Sequence, residues 1–299
     1  MATELETLNA AFAIGDLAQL VTGQGGLPKI QISTPAASAE IYLHGAQVTA
    51  WKPSGSGEVI FTSQHSRWED GKAIRGGIPV CFPWFRGKAD DPKAPAHGFV
   101  RTKSWALASI TQEDDSICVT LTTESDESTR CWWPHDFHLT LRIGVGALLK
   151  LELIVSNTGA APFQFEEALH TYHRVGDVRR ASVAGLNGVS FLDNRDENRA
   201  KIQNGDIVMI DATDNAYMNT AASLEIADPV LQRRIQIEKR NSSTTVAWNP
   251  WESGAKAMAD LGDDEWRQML CVEACNILGG AVTLAPGKEH RMATTIAVI

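Results

Sequence analysis

Apolar and polar residues alternate with a period of two along most of this chain. Residues 138–145 set Leu139, Leu141, Ile143 and Val145 on one side and Thr140 and Arg142 on the other. Residues 117–123 and 234–238 repeat the pattern, and 148–155, 223–227, 244–248 and 293–299 supply further strand-like runs. Successive side chains of an extended backbone point to opposite faces, so this rhythm predicts half-buried β-strands. Turn signals such as Gly55-Ser56-Gly57, Asn157-Thr158-Gly159, Asn187-Gly188, Asn204-Gly205 and Pro286-Gly287 punctuate them. Helical periodicity is confined to residues 4–20 and, weakly, 266–269. Strands that follow one another without intervening helices imply an all-β protein, a sandwich or a barrel. No linker, block of like charge or repeat divides the sequence. Residues 1–299 therefore read as one domain, with 1–24 as a partly helical extension.

Composition narrows the function classes. The formal charge of −9 argues against nucleic acid as a partner, since neutralising phosphates needs a basic surface. An anion site in such a protein must be built by focusing a few Arg or Lys residues. Five cysteines without a CxxC pair indicate neither a disulfide framework nor a zinc ribbon, and so a reducing compartment. Glu4 and Glu6 stand where a leader peptide would be basic, and no apolar run approaches the ~20 residues of a membrane span. The expectation is a cytoplasmic protein without a membrane partner, and nothing demands more than a monomer.

Two segments put ionisable groups where strands are expected. Alternation from Phe163 places Phe163, Phe165, Glu167, Leu169 and Thr171 on one face, and Gln164, Glu166, Ala168, His170 and Tyr172 on the other. Farther on, Cys271, Glu273 and Cys275 share one face, opposite Leu270, Val272 and Ala274. Burying an unpaired charge in a sheet costs several kcal/mol or more, so these groups are either satisfied structurally or face a wet pocket. His170 has the titration range of a general acid or base near neutrality. Glu273, among Val, Ala and Cys, is under desolvation pressure that suits a carboxyl to proton transfer. A third element runs from Ile74 through Arg75-Gly76-Gly77 to Phe85 and on to His97-Gly98-Phe99-Val100-Arg101. Its glycines allow close backbone approach, and Arg75 and Arg101 offer guanidinium forks suited to an anion such as phosphate.

Other signals fail. Gly23-Gln24-Gly25-Gly26 lacks the setting of a nucleotide-binding loop, and Asp90, Asp91, Asp211 and Asp214 lack calcium-loop spacing. His170 and His173, three apart on a strand, would point to opposite faces, which disfavours a zinc pair. There is no GxSxG elbow. The reading requires no metal and no cofactor.

Taken in order, Asp70-Gly71, residues 74–85, His97 to Arg101 with Trp105, Trp133-Pro134-His135, Ala168 to Tyr172, residues 246–251 and Cys271-Val272-Glu273 resemble the aldose 1-epimerase superfamily. Within it they resemble the hexose-6-phosphate mutarotases, from about residue 25 to the end. The resemblance implies a large antiparallel β-sandwich of the galactose mutarotase type and cofactor-free interconversion of sugar anomers. It also implies His170 as general acid, Glu273 as general base, Arg75 and Arg101 as phosphate ligands, and His97 and Asp214 as holders of sugar hydroxyls. The implied partner is a small sugar phosphate, glucose 6-phosphate foremost. The chain departs from the pattern at Arg86, set between Phe85 and Gly87, and at Ala96, both of which bear on phosphate contact; Lys88 and Lys93 are possible compensating cations. Two rivals stand beside this reading: a mutarotase of unphosphorylated aldoses, and a non-catalytic carbohydrate-binding β-sandwich.

Overall fold

The computed structural model describes residues 2–299. Two large antiparallel sheets dominate. The nine-stranded one is anchored by the consecutive strands Ala106–Glu113, Ser116–Glu124, Phe137–Val145 and Leu149–Asn157, and continues through Glu289–Val298 and Arg233–Arg240. The eight-stranded one runs from Arg199–Ile202 at one edge, through Ser190–Asp193, Thr213–Met218, Thr244–Asn249, Met269–Asn276 and Glu167–Leu169, to Val80–Cys81 at the other. A four-stranded sheet of residues 18–53 packs alongside. The all-β expectation holds, as does the alternation: in Phe137–Val145 every second residue, from Phe137 through Leu139, Leu141 and Ile143 to Val145, is buried in the common core.

Three local expectations are corrected. The helix spans Ala2–Phe12 rather than 4–20, and Ala18–Thr22 is a strand paired with Pro28–Ser33. Gly15, at φ +47, lies in the turn that follows the helix, and the Asn9 side chain bonds both the N–H and the C=O of Leu20, docking helix on strand. Residues 266–268 fall in a 3₁₀ turn, Glu265–Gln268, and Met269 already opens the next strand. A short helix, Trp251–Ala257, had no periodic signature because it has only two turns.

The single strand expected over 163–172 is three: Phe163–Phe165, Glu167–Leu169 and Tyr172–Arg174. At the first break Glu166 turns away to accept from the Phe85 and Leu278 N–H groups. At the second, the His170 N–H donates to Pro79 C=O and the Tyr172 N–H to Gly77 C=O, in the 74–85 loop. His170 thus sits in an interruption, not in a strand interior. Glu167, on the apolar face, is fully buried and tied to His290 (2.8 Å) and Asn276 (2.8 Å), a link from the eight-stranded to the nine-stranded sheet.

Candidate active site

Strand register builds the floor of the site. The strand Met269–Asn276 is buried along its whole length, so Cys271, Glu273 and Cys275 look out from one face while Leu270, Val272 and Ala274 enter the core. Asp214 lies opposite Trp248, Trp248 opposite Cys271, and Cys271 opposite Tyr172. Two residues along, Ala216 lies opposite Val246 and Val246 opposite Glu273. Because Leu169 pairs with Ala274 and Tyr172 with Cys271, the same register sets His170 against Glu273. Their Nδ1 and Oε1 atoms are 3.3 Å apart, off the line a hydrogen bond needs, and both Glu273 oxygens lack a hydrogen-bond partner.

The 74–101 segment forms the wall. Gly77, at φ +69, passes so near the Val48 carbonyl that a Cβ there would sit 2.4 Å from its oxygen. The buried Gln47 side chain donates to the Gly76 and Ile74 carbonyls and holds the turn. Arg75 is thereby aimed at Tyr172, donating to its hydroxyl at 3.0 Å, and pairs with Asp260 at 3.1 Å. Arg86 and His97 are locked to each other: the His97 N–H donates to Arg86 C=O, and the Arg86 N–H donates to His97 Nδ1. With Nδ1 accepting, a neutral His97 carries its proton on Nε2, where it can donate to a ligand.

All six residues singled out from the sequence, Arg75, His97, Arg101, His170, Asp214 and Glu273, line one cavity of about 220 Å³. A roomier cleft of about 590 Å³ lies on the nine-stranded sheet, but its wall includes Glu113, Asp114, Arg142 and Glu152, with no histidine among them. Arg86 also lines the small cavity, whereas Lys88 does not and pairs with Asp90, and Lys93 is exposed. Asp214 has both carboxylate oxygens engaged, by Arg86 at 2.5 Å and by Asn194 at 2.7 Å. Arg101 donates only to the Ala96 carbonyl; among the described residues no carboxylate lies within ion-pair distance of it.

Burial governs the charges here. It pushes His170 well below the usual imidazole range, and Arg101 and then Arg75 push it further. It lowers His97 in the same way, again with help from Arg101. It raises the Glu273 carboxyl well above its usual range; Asp214 adds to the rise and Arg86 opposes it. Burial thus works against the charged form of both partners, the imidazolium and the carboxylate expected from the sequence.

Several lining groups were missed from the sequence as site residues. Tyr172 stacks on His170 with ring centroids 4.9 Å apart and planes at 12°, and Trp248 meets both rings edge-on. Phe85, Val246 and Met258 complete an apolar side. Tyr172 and Trp248 lie inside the motifs that carried the resemblance, but Asp260 had no signal because it reaches Arg75 only through the fold. His170, Cys271 and Glu273 also offer three ligand atoms within 4.8 Å of one another, a set that could hold a metal ion. Such an ion would occupy the acid and the base themselves.

The chain is similar to known proteins over most of its length. Residues 28–297 match the family model described as aldose 1-epimerase. A provisionally named glucose-6-phosphate 1-epimerase of Salmonella typhimurium is 35% identical over 273 residues, covering 91% of this chain and 90% of that protein. A protein of the same provisional name from Escherichia coli is 36% identical over 248 residues, covering 83% and 82%. The crystal structure of a provisionally named mutarotase from Salmonella typhimurium matches with a TM-score of 0.89 at 32% identity, over 96% of this chain and 95% of that one. The chain belongs to the aldose 1-epimerase family, isomerases of sugar anomers.

Proposed function

We propose that the protein interconverts the α and β anomers of a hexose 6-phosphate, glucose 6-phosphate foremost, by acid–base opening and closing of the pyranose ring. The observation that carries this is the opposition of His170 and Glu273 at 3.3 Å in a cavity that also holds Arg101, which has no direct ion-pair partner among the described residues. The names of the relatives point the same way.

Ring opening needs one proton removed from the C1 hydroxyl and one delivered to the ring oxygen. In the ion-pair form, Glu273 carboxylate takes the first and His170 imidazolium gives the second; rotation about C1–C2 presents the other carbonyl face, and the transfers reverse on closure. The net proton count is unchanged. Each positioned transfer is worth ~10²–10⁴-fold in rate. Arg101 and Arg75 bind the phosphate, His97 Nε2–H donates to a sugar oxygen, and Asp214 accepts from a hydroxyl once Arg86 yields a carboxylate oxygen.

The test compares kcat/KM for glucose 6-phosphate and glucose by NMR anomer exchange, in wild type and in Arg101→Gln. Wild type favours the phosphorylated sugar, and the substitution erases most of that preference. Equal efficiencies in wild type would remove phosphate from the reading and leave a mutarotase of free aldoses; no exchange with either would leave a sugar binder.

A further inference from the structure

The floor of the cavity has a direction. Tyr172, Cys271, Trp248 and Asp214 stand side by side on four successive strands. With strands about 4.8 Å apart, Asp214 lies roughly 14 Å from Tyr172, backbone to backbone. Glu273 is on the second of those strands, next along the sheet from His170. Arg75 bonds the Tyr172 hydroxyl at 3.0 Å and pairs with Asp260 at 3.1 Å. The wall that carries Arg75 and Arg101 is bonded to this same end, through Val80 and Cys81 opposite Leu169 and Ala168. The arginine end, the reacting pair and Asp214 therefore follow one another across the sheet.

A pyranose 6-phosphate is connected in the same order. The phosphate hangs from C6, C6 joins C5, C5 joins the ring oxygen, and the ring oxygen joins C1. With the phosphate on Arg75 and Arg101, the ring oxygen at His170 and the C1 hydroxyl at Glu273, the next carbon, C2, falls toward Asp214. This placement rests on the function proposed above.

Asp214 is not bare. Arg86 leaves the wall at φ +61, a region where glycine is the usual occupant, and its backbone is locked to His97. Its guanidinium lies over the Phe85 ring at 5.7 Å and meets Asp214 at 2.5 Å. Asn194 holds the other carboxylate oxygen at 2.7 Å. An arginine kept where the backbone disfavours any side chain points to a task for that side chain. The charges nearest C2 are then Arg86 and Asp214, which offset each other, with Glu273 and His97 in the same cavity.

We propose that Arg86 is a specificity-determining residue for C2 of the sugar: laid on Asp214, it cancels that carboxylate, so this end of the cavity takes a neutral hydroxyl and turns away an ammonium. A bare Asp214 does the reverse and draws a 2-amino sugar in. Glucosamine 6-phosphate, which differs from glucose 6-phosphate only in its C2 ammonium, is the sugar that Arg86 excludes.

The test measures kcat/KM by NMR anomer exchange, corrected for the enzyme-free rate, on three sugars at a pH where the amine is protonated. Glucose 6-phosphate carries a hydroxyl at C2, glucosamine 6-phosphate an ammonium, and 2-deoxyglucose 6-phosphate neither, which separates rejection of charge from loss of a hydroxyl contact. In the wild type the amino sugar should fall below the deoxy sugar by about tenfold or more, the scale of one poorly screened charge. Arg86→Gly suits the left-handed backbone, and it should bring the amino sugar level with the deoxy sugar or above it. An amino sugar that matches the deoxy sugar in the wild type overturns the proposal, as does rejection that persists unchanged in Arg86→Gly. Where that variant fails to fold, Arg86→Gln is read in the same way. The wild type gives a further check, because both sugars meet the same free enzyme and its titrations cancel in their ratio. Raising the pH until the amine is neutral should lift the amino sugar toward the deoxy one, and a flat ratio overturns the rejection of charge. All of these failures leave a preference for glucose 6-phosphate over glucose, and so the proposed function, standing. Loss of that preference takes both down.

Discussion

At the scale of single residues, burial works against the charged forms of His170, His97 and Glu273. Glu273→Gln keeps the volume and removes the proton shuttle, so anomer exchange should fall by ~10²–10⁴-fold with the melting temperature nearly unchanged. Retention of a near-normal rate would rule Glu273 out as the base. His173 makes a separate point. It is fully buried, and burial pushes it down to about 3, against a smaller opposing effect of the Val272 backbone. The unfolded chain takes up a proton there below about pH 6.5, while the native state refuses it until about pH 3. Stability from this group is thus intact above pH 6.5 and declines as pH falls, by about 1.4 kcal/mol per pH unit. Urea midpoints of His173→Leu measured from pH 7 to 5 should lack that share of the slope; an identical slope would show that His173 does not resist protonation.

At the scale of elements, the turn Arg75-Gly76-Gly77 decides where the guanidinium lands. A methyl group on Gly77 would meet the Val48 carbonyl in a backbone conformation that already disfavours it. Gly77→Ala should therefore cost at least ~1–2 kcal/mol and should raise KM for the phosphorylated sugar more than for the free one. A purely global loss, equal for both sugars, would deny the turn its aiming role. The elements also mark where the sequence was legible. The alternation in 117–123 and 138–145 survives in the structure because each of those strands has one face in a common core, so the pattern is local. The break at His170 could not be seen, because it is made by carbonyls of Pro79 and Gly77, some ninety residues away. For the same reason the sequence could offer His170 and Glu273 as separate polar positions but not their register. Arg86 read only as a departure, yet it lines the cavity and holds Asp214. Asp260 was invisible altogether.

At the scale of the molecule, the two large sheets are tied through Glu167, whose carboxylate is fully buried against His290 and Asn276. Glu167→Ala leaves those partners unsatisfied and should lower stability by about 3 kcal/mol in urea unfolding, while kcat of the remaining native enzyme stays close to wild type. A large fall in kcat at full stability would instead connect the tie to the chemistry. The strand Met269–Asn276 carries the same architecture further, since it is enclosed on both faces. Whatever is changed beside Glu273 is felt at once by the hydrophobic interior behind it, which leaves that strand little freedom to vary. The wall has no such obligation. Arg86 and Ala96 stand on irregular backbone at the cavity mouth, and recutting that rim is how one scaffold could be turned from one sugar to another while its proton-moving floor stays as it is.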